Sequence, residues 1–182
     1  MKISAIGASV AVVVASVASA DVTYTFTNQA WAGYSFTSAF GAGTLTGSIT
    51  AVKANATLDA QTIETYASDL CIYVAYNPLA SGGLLQAGGV DDFFATQKYS
   101  WTNGDSSALG TVVSSTRLLT TAISMAANPN AIVYVGNGYI AGWGTWTGTI
   151  TLVGVDLAPV PAPGAVALLG LAGAIGGRRR RA

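Results

Sequence analysis

The 182-residue chain has eight basic and eight acidic side chains, no histidine and a single cysteine. Without histidine, Ser-His-Asp and Cys-His catalysis and histidine-ligated metals are excluded. One cysteine excludes an intramolecular disulfide. Only 9% of the residues are charged, against about a quarter in an average protein, so Thr, Ser and Asn must supply most of the polar surface.

In chain order, residues 1–20 come first, with one cation, Lys2, then an apolar stretch from Ile3 to Val17 and the small residues Ala18-Ser19-Ala20. This is the plan of a secretory signal peptide, with Ala18 and Ala20 at the positions a signal peptidase reads and cleavage expected before Asp21. Asp21 is not a cysteine, which disfavours a lipoprotein.

Residues 21–158 have the size of one ordinary domain. They hold three cations (Lys53, Lys98, Arg117) against eight acids (Asp21, Asp59, Glu64, Asp69, Asp91, Asp92, Asp105, Asp156), a net charge of −5. Nucleic-acid binding needs clustered Lys and Arg and is not expected. Val22 to Thr27, Thr44 to Ala51 and Thr145 to Leu152 alternate apolar residues with Thr or Ser, so each predicts a strand with one buried and one wet face. Leu70 to Tyr76 and Ala131 to Val135 are apolar throughout and read as central strands. Further strands are expected at 51–58, 94–101 and 111–123. Turn chemistry separates these runs at Asn77-Pro78, Gly88-Gly89, Asn103-Gly104-Asp105, Asn128-Pro129-Asn130 and Gly136-Asn137-Gly138. The expected fold is all-β, an antiparallel sandwich of jelly-roll type. It would be flanked by an N-terminal signal helix and a short C-terminal apolar helix.

Residues 159–182 change character. The prolines of Ala158 to Pro163 cannot join a ladder and predict an extended spacer. Gly164 to Gly177 is uncharged, and the chain closes on Arg178, Arg179, Arg180 and Arg181. As a helix this apolar run reaches only about 21 Å, against a hydrocarbon core of about 30 Å. The terminal arginines nevertheless read as a cytoplasmic stop, with the domain on the other side of the membrane. A short transmembrane segment is expected, transient rather than a lasting anchor.

Together with the signal peptide, the Pro-x-Pro, apolar run and arginine cluster resemble the PEP-CTERM sorting signal of bacteria. Here the motif reads Pro161-Ala162-Pro163, with alanine in place of the central glutamate. The resemblance implies export, processing near the prolines by an exosortase-like membrane enzyme, and release or attachment at the cell surface. Its expected partners are signal peptidase, that processing enzyme, the inner membrane and a surface polysaccharide. Ala67 to Val74 and Gly144 to Ile150 also look like strands of the jelly-roll domain found beside subtilisin-type proteases.

Chemistry is sparse. Asp91-Asp92, with Asp69 or Glu64 as partner, have the residue types of glycoside hydrolysis, but adjacent acids after Gly88-Gly89 read first as a solvated turn, and no enzymatic activity is expected. Asp91 and Asp92, or Asn103-Gly104-Asp105, could ligate Ca²⁺ through oxygens, although no D-x-[DN]-x-[DN]-G loop is present. No other cofactor is implied. Tyr99, Trp101, Tyr139, Trp143 and Trp146 could stack on sugar rings. Trp146 reads as core by its alternation, whereas Tyr139 and Trp143, in a glycine-rich segment, read as exposed and are the candidate ligand-binding residues. The outward threonine rows also suit ice binding, but a wet β-face ordinarily uses threonine. Cys71 reads as a small buried hydrophobe.

The expected protein is therefore an exported, non-enzymatic cell-surface or extracellular-matrix component. A carbohydrate-binding sandwich, with or without Ca²⁺, is the alternative.

Overall fold

The computed structural model describes residues 20–76 and 82–159. The expected signal helix, apolar helix, Pro161-Ala162-Pro163 and arginine cluster lie outside the described residues.

The described residues are all-β, with nine strands in two sheets: β1 (Val22–Ala32), β2 (Phe36–Phe40), β3 (Leu45–Gln61), β4 (Leu70–Ala75), β5 (Leu85–Ala87), β6 (Gln97–Tyr99), β7 (Val112–Ser124), β8 (Ile132–Asn137) and β9 (Trp143–Leu157). One turn of 3₁₀ helix, Ala67–Asp69, precedes β4. The first sheet has the order β1-β9-β3-β7 and the second β2-β8-β4-β5-β6. With the short β6 set aside, the first strand pairs with the last (β1 with β9), β2 with β8, β3 with β7, and β4 with β5. This is one long hairpin rolled so that its rungs fall alternately in two sheets.

Alternation placed the faces. Phe26, Ile49, Trp146, Ile150 and Leu152 point inward from the first sheet and meet Leu70, Ile72, Val74, Val133 and Val135 from the second in one core. Each such side chain contributes roughly 1.5–3 kcal/mol when fully buried. Thr23, Thr25, Thr46 and Thr50 stay exposed. Asn28 marks a bulge in β1 between Phe26 and Gln29. Its left-handed φ of 48° is one asparagine tolerates, and its N–H donates to Thr147 Oγ1 at 2.9 Å.

Four expectations need correction. The sheets are not antiparallel throughout, because β5 and β6 run parallel. The runs at 44–51 and 51–58 form one strand, β3, because a bulge between Ile49 and Ala51 absorbs the change of register without a turn. The strand expected at 94–101 shortens to β6, because Phe93 to Thr96 belong to a loop laid over β4. Strands β2 and β5, the second only three residues long, carried too little pattern to be predicted.

The double-sided burial of β4 has a local cause. Leu70, Ile72 and Val74 enter the main core. Cys71, Tyr73 and Ala75 face outward into a second cluster with Phe93 and Ala95. The Phe93 ring lies edge-on to Tyr34 and Phe36 at 4.9 and 5.4 Å, and Tyr73 Oη donates to its carbonyl at 3.1 Å.

A cleft at the loop end of the sandwich

Strands β1 and β9 are antiparallel neighbours, so the start of β1 and the end of β9 lie at the same end of the first sheet: Ala20 N–H donates to Asp156 Oδ1 at 2.9 Å. The opposite end is built from the loops at 62–66, 88–94 and 138–142. Buried side chains fasten these loops. Gln86 donates to the Asp91 carbonyl at 2.6 Å and accepts from Phe93 N–H at 3.0 Å. Asn137 donates to the Gly142 carbonyl and accepts from Tyr139 N–H, each at 3.0 Å. Gly138 accepts from Val90 and Asp91 N–H and donates to the Asp69 carbonyl. Gly89 and Gly138 touch backbone to backbone, so a Cβ on either would collide with the other.

Three depressions surround the exposed Val90 ridge. One, of about 200 Å³, is lined by Glu64, Tyr66, Asp69, Val90 and Tyr139. A second, of about 190 Å³, runs from Gln86 past Asp91 and Asp92 to Tyr99, and a third, of about 280 Å³, from Ser68 to Asp105. Asp69 is 5% exposed and accepts from Tyr66 N–H at 2.8 Å through Oδ2. Burial, and then the charges of Asp91 and Asp105, push its carboxyl up to about 6 against the opposing pull of the Tyr66 N–H. Glu64 and the β-branched Ile63 both hold left-handed φ, at 52° and 53°. That conformation costs of order 1–3 kcal/mol per residue, the kind of strain that clusters at functional sites.

The residues singled out from sequence are distributed unevenly. Tyr139 lines the Glu64–Asp69 cavity. Trp143, at the start of β9, is 37% exposed but does not line it. Trp101 and Trp146 are core, their indole N–H groups donating to the Leu70 and Ala67 carbonyls, and Tyr99 is half-buried with its hydroxyl on Gln97 and Thr120. That removes Trp101 and Trp146 as sugar platforms. Asp91 Oδ2 accepts from Ile140 N–H at 2.6 Å. Asp92 accepts from Phe94 N–H and pairs with Lys98, and these bonds hold its carboxyl below its usual value. Both acids thus fasten a loop, and no cluster of three metal-ligating side chains occurs among the described residues. Burial, then Asp69, raises the Cys71 thiol far above neutrality, leaving it unreactive.

Sequence reading missed Tyr66. Its signal was the spacing Glu64-x-Tyr66-x-x-Asp69 directly before an apolar strand, two acids and an aromatic where the chain must turn.

The fold and its loop end define a two-sheet all-β protein with a shallow acidic and aromatic cleft. No family profile, curated protein or solved structure matches the chain. Among the described residues no helix is long and apolar enough to cross a membrane.

Proposed function

We infer that this chain is an exported, non-enzymatic bacterial protein, a jelly-roll sandwich delivered to the cell surface or extracellular matrix through a PEP-CTERM-like tail. One observation carries the reading: an N-terminal signal pattern ending at Ala18 and Ala20 is paired with the ordered C-terminal series Pro161-Ala162-Pro163, apolar run, Arg178 to Arg181. The fold is compatible with both segments being handled by other proteins. Strand β1 begins at Val22, after the expected cleavage position, and β9 ends at Leu157, before Pro161. In this reading signal peptidase removes residues 1–20, the apolar run lodges transiently in the inner membrane, and an exosortase-like enzyme acts near the prolines. Intact mass of the mature protein from its native host tests it. The expected species starts at Asp21 and ends near Pro161; a species retaining Met1 to Ala20 overturns export.

A carbohydrate-binding role is the second reading, favoured by a specific observation: Tyr139 lines a cavity with a second tyrosine and two carboxylates. The cavity lies at the end of the first sheet opposite to Ala20 and Asp156. Ca²⁺ at Asp91 and Asp92 would have to displace the Lys98 pair and the loop hydrogen bonds. A glycan array of the mature protein is expected to show retention of at least one glycan class; retention of none rejects this role.

A further inference from the structure

We propose that the cavity between Glu64, Tyr66, Asp69 and Tyr139 binds a single sugar ring bearing a free amine. The proposal rests on the carbohydrate reading above and gives it a site and a ligand class. Three observations carry it. First, the cavity measures about 200 Å³, below the roughly 300–1,000 Å³ of sites that enclose drug-sized molecules, so it seats one ring of a glycan and not a chain.

Second, its lining is rich in acceptors and poor in donors. Glu64 and Asp69 supply four carboxylate oxygens, of which Asp69 Oδ2 alone accepts a hydrogen bond among the described residues, from Tyr66 N–H. Among the described residues no Lys, Arg, Asn or Gln lines the cavity, and Tyr66 and Tyr139 are the only lining residues whose side chains carry a neutral donor. Such a lining repels uronic acids, sulfates and phosphates and suits a ligand that brings its own N–H groups. An ammonium brings three. Third, the apolar contribution is two tyrosines and Val90. Aromatic faces suit the C–H surface of a pyranose and also attract a cation by its charge. Asp69 is nearly buried and so fixed in place, whereas Glu64 is exposed and lines the cavity from the left-handed turn at Ile63 and Glu64.

Trp143 lies outside this cavity and has no part in the site. The test is titration calorimetry of the mature protein with a glucosamine tetramer, its N-acetylated counterpart and tetralysine. The amine-bearing sugar is expected to bind at least tenfold more tightly than either of the others. Glu64→Gln and Tyr66→Ala, both at exposed positions, should each weaken it tenfold or more, while Trp143→Ala leaves it within twofold. Equal affinity for the acetylated tetramer overturns the amine assignment, and tetralysine binding as tightly overturns the sugar. Binding that survives Tyr66→Ala and Glu64→Gln but disappears in Trp143→Ala overturns the site while leaving the carbohydrate reading intact. Only failure to retain any glycan class removes both.

Discussion

The two sheets share one core and treat their outer faces in opposite ways. On the first sheet the outer face is open. Thr23 of β1 lies beside Thr151 of β9, their hydroxyls 2.8 Å apart, and the register continues through Lys53 to Thr116. On the second sheet the loop at 88–96 covers the outer face and seals Cys71 and Tyr73 beneath Phe93. The open face places its strands by alternation alone. The covered face needs a separate set of polar fasteners, and the same loop that covers it also forms a wall of the cleft. Structure and candidate function are therefore coupled on the second sheet and independent on the first.

That asymmetry can be broken in steps. Gly88→Ala should have the largest effect. Gly88 has φ 78°, and a Cβ there would enter the shells of the Leu70 carbonyl and Trp101 Nε1. A loss of more than about 4 kcal/mol in urea unfolding is expected from the clash and the forced backbone change. Gln86→Leu comes next. It leaves the Asp91 carbonyl and the Phe93 N–H without their partner, an expected loss of about 3 kcal/mol, with faster proteolysis within 88–96 as an independent readout.

Asp69→Asn should move stability the other way, and only above a certain pH. A raised folded-state pKa means that the folded protein holds this proton more tightly than the unfolded chain. The favourable contribution is complete below about pH 4 and is lost as the pH rises to about 6. The groups facing it (Glu64, Tyr66, Tyr139, Asp91, Asp105 and Cys71) supply acids and phenols and no cation to reverse the sign. Melting curves should show Asp69→Asn more stable than the parent by on the order of 2 kcal/mol at pH 8 and nearly equal at pH 4. A gain of the same size at both pH values would show that the charge is not the cause. The smallest effect belongs to the open face: Thr149→Val, opposite Thr25 and Asn55, should stay within about 0.5 kcal/mol.

Legibility in the sequence followed the same division. Alternation in Val22 to Thr27 and Thr145 to Leu152 marked both the strands and their inward faces, because a half-wet strand imposes a period of two. The apolar run from Leu70 correctly signalled burial on both sides, but nothing local said that Phe93 supplied the second cover. Strands β2 and β5 exist through their neighbours: Phe36 to Phe40 pairs with β8, and Leu85 to Ala87 is held between β4 and β6. At the candidate site, Tyr139 was legible as an aromatic in a glycine-rich turn. Its partners Glu64, Tyr66 and Asp69 stand about seventy residues earlier and meet it only because β3 ends where β9 begins, Gln61 opposite Gly144.

By itself the sequence determined the all-β class, the inward faces of the long strands and the absence of histidine chemistry. These depend on residue type and on a two-residue period, both local. Only the tertiary structure decided that Trp101 is core, that Asp91 and Asp92 fasten a loop, and that Asp69 sits buried among acids beside two tyrosines. Those facts depend on contacts between residues far apart in the chain, which no local pattern encodes.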